Sequence, residues 1–422
     1  MRQLGVLMTA TQKRLLLALT AVTALATATP TTSSEQRFQG LGFLPGANSS
    51  SAHGVNADGT VVVGDALVVV GDAVRRQAFR WVNGTMTGLG FATATGVSAD
   101  GTVVVGTKLP GGPGGSEAVR WVNGTATGLG FLPKNIASQA SGVNADGTVV
   151  VGLSTSGSVV QAVRWVNGTV TGLGFPPSGS FSEARGVSAN GKVVVGDALV
   201  VVGDAVRRQA FRWVNGTMTG LGSLPGDTDS SASGVNANGR VVVGEAFNPI
   251  ENQAFRWVNG TMTGLGFLPG GISSVAFGVS ADGKVVVGTG FAGEETQALR
   301  WTAATGMQSV KALLQAAGVN IPGWRLFEAT AVSADGTTIV GNGRDPNGRN
   351  QAWIADLSDL CFAEGMPVLR LDDDGNPIFL RARCEDDDRG AIRRRWIRFS
   401  HHEKTISARA TRSACRLCLP AL

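Results

Sequence analysis

Along most of the chain, apolar positions come in short runs alternating with small or polar ones, and each run ends at a glycine-containing dipeptide. Ser50 to Gly90 is representative. Ser51 to Ala57 alternates small residues around Val55, Thr60 to Gly64 is β-branched, and Gln77 to Val82 and Thr85 to Phe91 complete a set of four. A period of two with β-branched and aromatic enrichment predicts strands rather than helices. Asp58-Gly59 and Asn83-Gly84 separate them, and both dipeptides supply the positive φ angles of two-residue hairpin turns. The unit then repeats. A phrase of Gly or Ala, Val, Asn or Ser, Ala, Asp or Asn, Gly starts at Gly54, Gly96, Gly142, Gly186, Gly234, Gly278 and Ala331, which are 42 to 53 residues apart by subtraction. That period suits one four-stranded sheet per repeat, so the predicted fold is all-β, a seven-bladed β-propeller.

The third strand of six units carries the same pair: Arg80-Trp81, Arg120-Trp121, Arg164-Trp165, Arg212-Trp213, Arg256-Trp257 and Arg300-Trp301. Neighbours on a strand face opposite ways. Phe79 and Trp81 are therefore expected in one layer between blades and Arg80 in the other, paired with a turn side chain or backbone carbonyls, since a buried guanidinium needs partners. The seventh unit departs: Trp353 falls where Phe79 sits, Ala355 falls at the Trp position, and the unit stops at Leu357 without a fourth strand. Phe38 to Pro45 is a fourth strand with no blade before it, so it is expected to close the last blade. Ser309 to Ala317 has helical period and composition and predicts a short helix outside the ring, with Leu313 and Leu314 packed inward.

In such blades the turns between strands one and two and between three and four share one face, and here they are nearly constant. The other connections vary, and variable loops on a uniform scaffold are where binding resides. That face holds the candidate binding residues Arg75, Arg76, Lys108, Lys134, Arg207, Arg208 and Arg344. Val61 to Gly90 and Val193 to Gly222 are identical and contain an internal echo, VVVGDALVVVGDA; the extra valines either lengthen the hairpin or compete for its register. His53, the ring's only histidine, stands where the other copies have none and reads as a tolerated strand position.

The chain has 422 residues, 60 of them glycine and none tyrosine, with 16% charged and a net charge of +5. The arginine is periodic or C-terminal, so no nucleic-acid footprint is read from it. Lys13-Arg14 before the apolar run Leu15 to Ala28 reads as a secretory signal over 1–29, with Met1 or Met8 as the start, followed by a linker over 30–37. No later segment is long and apolar enough to span a membrane. Residues 38–357 form the propeller and 358–422 a Cys- and Arg-containing tail. Cys361, Cys384, Cys415 and Cys418 allow three disulfide connectivities. Asp372 to Asn376 reads as a hairpin turn, lacking the closing glutamate of a calcium loop. The Asn-Gly-Thr triplets at Asn83, Asn123, Asn167, Asn215 and Asn259 match a glycosylation acceptor, but each sits where a hairpin needs Asn-Gly.

The copies of GV(S/N)A(D/N)G, VVVG, A(F/V/L)RW and GLG, with GWRLFEATAVSADGTTIVGNGRDPNGRNQAWIADL near the end, resemble the HAF-type extracellular repeat family of bacteria over roughly Phe38 to Leu357. The resemblance implies a secreted or surface propeller-like protein and lends no catalytic residue. No nucleophile with an activating base is legible, and no metal or cofactor motif. The expected function is an exported, monomeric, non-catalytic binding or surface-interaction module taking a glycan or cell-envelope component, in the periplasm, at the surface or outside. The alternatives are a structural envelope protein without a ligand, or a hydrolase or lyase at the channel mouth.

Overall fold

The computed structural model describes residues 37–110, 115–177 and 179–358, with the backbone of 380–386, 392–398 and 406–409. The expected signal, nearly all of the linker, the acidic turn at 372–376 and the candidate disulfides lie wholly or partly outside these residues. Seven four-stranded antiparallel sheets form the blades. Blade 1 comprises Ala47–Val55, Val61–Val70, Ala73–Val82 and Thr85–Gly88, and blades 2 to 6 repeat that order. The last blade runs Arg325–Val332, Thr338–Arg344, Asn350–Asp356 and then Phe38–Gly40, with Phe38 opposite Ala355 and Gly40 opposite Trp353. The ring closes as the sequence predicts: the N-terminal strand supplies the outermost strand that the last blade lacks, over Phe38–Gly40. In the tail, the strands Leu380–Asp386, Ile392–Arg398 and Ile406–Arg409 form a separate three-stranded sheet.

Seven hydrophobic clusters occupy the seven interfaces between consecutive blades. Val61, Val63, Ala78 and Leu89 of blade 1 meet Ala94, Val104 and Val119 of blade 2, for example. Phe79 and Trp81 pack instead toward blade 7, against Val340 and Ala352. Burial on both faces explains the unbroken VVV runs of the second strands.

Four positions of the constant phrase have distinct structural tasks. First, the glycine stands one residue from the end of the innermost strand, where blades meet backbone to backbone: a Cβ on Gly96 would lie 3.5 Å from the Gly142 Cα. The Asn or Ser side chain accepts the first amide of the second strand, as Asn56 Oδ1 does from Val61 N at 2.9 Å. Alanine comes next: Ala57 donates its N–H to the Ala99 carbonyl, Ala99 to Ala145, and so on through Ala189, Ala237, Ala281 and Ala334, which donates back to Ala57. Seven backbone hydrogen bonds thus form a closed belt, satisfying groups that a strand end otherwise exposes. The Asp then turns the chain by accepting the amide two residues on, Asp58 Oδ1 from Thr60 N at 3.0 Å.

That last contact corrects one expectation. Asn83-Gly84 has both φ angles positive, at 47° and 83°, as a two-residue I′ turn requires. In Asp58-Gly59 only the glycine does, at 79°. The connection spans Asn56 to Thr60, and side-chain acceptors replace the backbone pairing of a tight hairpin.

Two side-chain stitches recur between blades. The arginines Arg80, Arg120, Arg164, Arg212 and Arg256 each donate to the carbonyl of the turn glycine of the next blade, at 3.1–3.4 Å. This is the backbone partner expected for them. Serines on the first strands bridge backward: Ser230 Oγ accepts from Ala210 N at 3.0 Å and donates to the Gly222 carbonyl at 2.6 Å. At the seam, Asn342 of blade 7 accepts from Ala52 N at 2.8 Å and donates to the carbonyl of Ala52 and to Glu328.

The helix α1, Val310–Ala316, lies in the crossing from blade 6 to blade 7 and buries Val310, Leu313 and Leu314 against Val287, Leu326 and Trp353. The duplicated segments lengthen the hairpin rather than slipping its register. Val61 to Val70 pair with Val82 to Ala73 without a break, and Val193 to Val202 with Val214 to Ala205.

Candidate functional site

The innermost strands run from the variable-loop face toward the constant turns, and the residue just before the phrase glycine points into the channel. Most blades place Ser or Thr there; blades 1, 4 and 6 place His53, Arg185 and Phe277. On the second strand, the residue after the VVVG glycine faces the same space: Asp65 in blade 1, Glu245 in blade 5. Together they line a cavity of about 780 Å³ at the channel mouth on the variable-loop face.

Two charge clusters stand in it. In blade 1, His53 Nε2 lies 2.6 Å from Asp65 Oδ1, and Arg76 Nη1 lies 3.2 Å from the other carboxylate oxygen. In blade 4, the fully buried Asp197 receives Arg185 Nε at 2.8 Å, Arg208 Nη1 at 2.9 Å and Ser231 Oγ at 3.1 Å. A buried carboxylate is tolerable with such partners. Arg185 also reaches Glu183 at 3.3 Å. Burial pushes the Glu183 carboxyl above its ordinary value, against the pull of Arg185. Burial likewise raises Glu245, opposed by the hydrogen bond from Asn252 and by Arg185 and Arg208. For Arg185, burial works against the charge, but Glu183 and Asp197 more than offset it and hold the guanidinium charged. Phe247 and Phe277 add two half-buried rings to the wall.

Of the residues expected from sequence, Arg76 and Arg208 reach the cavity. The remaining five share the face but do not converge. Arg75 is exposed on the other side of its hairpin, Arg207 lies 3.8 Å from Asp229, Lys108 is the exposed end of an otherwise buried strand, Lys134 sits exposed in a crossing at φ 69°, and Arg344 lies over the Phe327 ring. His53, read as a tolerated position, is instead a member of the mouth. Glu183, Arg185, Asp197, Glu245, Phe247 and Phe277 were not singled out. Their signal was register: Arg185 and Phe277 one position before the phrase glycine, Glu183 three before it, a carboxylate directly after VVVG at Asp197 and Glu245, and Phe247 two residues further on.

All the exposed large apolar side chains among the described residues lie on this same face. They include Val69, Val70 and Val74, their copies Val201, Val202 and Val206, and Ile136, Ile250 and Ile272 in neighbouring loops. Both ends of the ring sequence leave on the opposite side: Asp356 N donates to the Arg37 carbonyl and Leu357 N to Thr337, beside the constant turns. A smaller cavity of about 260 Å³ between Pro225 and Gln253 has its polar groups partly closed on one another through Asn248 and Asp227, 2.7 Å apart. No group of three or more His, Cys, Asp or Glu is placed to hold a metal among the described residues, and no helix there is long and apolar enough to cross a membrane.

No family model matches the chain, and no curated protein does. Solved structures do. The β-propeller domain of the Trilobed protease from Pyrococcus furiosus superposes with a TM-score of 0.52 at 11% identity, over 74% of this chain and 97% of that one. An oligogalacturonate lyase from Vibrio parahaemolyticus gives 0.51 at 10% identity, over 77% and 94%. An oligogalacturonate lyase in complex with manganese gives 0.50 at 12% identity, over 76% and 93%. At such identities the likeness concerns the fold. The chain is a seven-bladed β-propeller with four-stranded blades.

Proposed function

We propose that this propeller is a non-catalytic binding module, exported and monomeric, that takes a polar ligand at the channel mouth and meets its surroundings through the variable-loop face. The observation that carries the reading is the cavity of about 780 Å³, lined by charged groups from blades 1, 4 and 5, on the face that also bears the exposed apolar side chains. Concave sites of this size with a few convergent polar groups are the usual form of ligand pockets. The resemblance to HAF-type repeats supports export and a place at the cell envelope. The test is a thermal-shift and calorimetry screen of saccharides, peptides and lipid headgroup analogues. Arg76→Ala and Phe277→Ala at the mouth are compared with Lys192→Ala and Arg240→Ala at the constant turns. A saturable ligand weakened at least tenfold by the mouth changes alone is expected; no ligand, or equal effects from both sets, refutes the proposal.

A second reading rests on Glu183 and Glu245. Two carboxyls held above their ordinary pKa in one cavity are candidates for general acid work in a hydrolase or lyase. Product formation from a bound ligand, abolished by Glu183→Gln or Glu245→Gln, would replace the binding module with an enzyme.

A further inference from the structure

The blade 4 to 6 wall of the mouth has a chemistry more specific than polarity. We infer that it is a saccharide site for an uncharged sugar chain, with Glu183, Arg185, Arg208 and Glu245 meeting hydroxyls and Phe247 and Phe277 meeting the C–H faces of the rings. The inference rests on the binding reading above and deepens it.

Three properties of the wall lead there. Its guanidiniums are engaged already: Arg185 and Arg208 both bind Asp197, and across the mouth Arg76 binds Asp65. With Glu183 and Glu245 added, four acidic groups face three guanidiniums and His53, and each basic group has an acidic partner, so the mouth presents no unpaired cation to a phosphate, sulfate or uronate. Next, donors and acceptors interleave. Asp197 orients Arg185 and Arg208, Arg185 Nη2 donates to Glu183 at 3.3 Å, and both guanidiniums share the cavity with Glu245 and act on its carboxyl. A hydroxyl both donates and accepts, so adjacent hydroxyls on one ring satisfy such an array, whereas a carboxylate or an ammonium satisfies half of it. Finally, Phe247 and Phe277 come from adjacent blades onto the same cavity and are half-buried, with ring surface left to cover. Desolvating apolar C–H surface against an aromatic ring is favourable, and a pyranose presents such surface edge-on to its hydroxyls. The arrangement is not a product of the repeat: blade 6 has phenylalanine where five other blades have a small or polar residue or histidine, and arginine stands only in blade 4.

The wall is also held still. Asp197 is inaccessible to solvent and receives three hydrogen bonds, one from Ser231 of blade 5, so Arg185 and Arg208 are fixed before any ligand arrives. Preorganisation lowers the ordering cost of binding.

The experiment uses the full chain on an array carrying neutral and acidic glycans of plant, fungal and bacterial origin, followed by calorimetry with the best neutral oligosaccharide. Saturable binding to a neutral class is expected, at least tenfold weaker in Phe247→Ala and Phe277→Ala and unchanged in Lys192→Ala. Phe247→Leu, which keeps the volume of an apolar side chain, is expected to keep the thermal melt and still lose at least threefold in affinity, which separates ring contact from folding. Peptides and lipid headgroup analogues run in parallel. If only uronic or sulfated chains bind, or only basic peptides bind, the saccharide assignment falls while the mouth remains a binding site; if nothing binds saturably, both fall.

Discussion

Replacing Phe38 by alanine tests how the ring is closed. In six blades the third-strand Trp faces a fourth-strand partner: Trp81 opposite Met86, Trp165 opposite Val170, Trp213 opposite Met218. In blade 7 that pair is Ala355 opposite Phe38, so the aromatic has moved to the other strand. Phe38 is 8% exposed, 5.1 Å from the Trp324 ring edge-on and 6.1 Å from Trp353 stacked. A buried Phe→Ala costs about 3–5 kcal/mol, and each aromatic pair contributes about 0.5–1.5 kcal/mol within that loss. Phe38 belongs to a three-residue strand at the blade edge, which can relax, so about 3 kcal/mol is expected. Met86→Ala, at the equivalent but partly buried position, should cost about 1 kcal/mol, below the range for a buried Met. The assay is urea unfolding followed by Trp fluorescence and far-UV dichroism, with hydrogen exchange on the amides of Asn350–Asp356. Those amides should lose protection first in Phe38→Ala. A loss below about 1 kcal/mol, or one no greater than that of Met86→Ala, would show that the terminal strand does not hold the ring shut.

Other outcomes follow from the same contacts. Arg212→Met removes the hydrogen bond to the Gly239 carbonyl; about 1–2 kcal/mol of stability should go, with ligand binding unchanged, as read by urea unfolding and calorimetry. Gly64→Ala places a Cβ against the Ser51 carbonyl oxygen and should cost about 3 kcal/mol or more, while Gly84→Ala meets open space and pays only for its positive φ, about 1 kcal/mol. Glu245→Gln should raise the melting temperature at pH 7. Its folded pKa is raised, so the stabilising contribution of the neutral carboxyl is complete below the unfolded pKa and lost as pH rises through the folded one. The difference from the parent should therefore vanish in acid, and a gain that persists there would contradict the burial argument.

How much was legible depends on whether a feature repeats. Asn83-Gly84 declares its turn because few residues accept two positive φ angles, and the arginine before each Trp declares a buried partner through its charge. The Asp-Gly connections misled because a dipeptide rule cannot see that the Asp58 and Asn56 side chains stand in for backbone partners by accepting amides two and five residues on. Arg75 and Arg76 look alike in the sequence; alternation on one strand sends Arg76 to Asp65 at the mouth and leaves Arg75 outside.

The sequence alone determined the strand count, the period, the two faces and the closure by Phe38, because these follow from local turn chemistry and from a pattern written seven times. Only the tertiary structure decided the site. Glu183, Arg185, Asp197, Arg208, Glu245, Phe247 and Phe277 are scattered over almost a hundred residues; Asp197 and Arg208 recur in blade 1 as Asp65 and Arg76, while Arg185 and Phe277 stand in one blade each. They become one surface only when the ring turns seven innermost strands toward a common axis. Distance around that axis, which the chain does not encode locally, sets which charges meet.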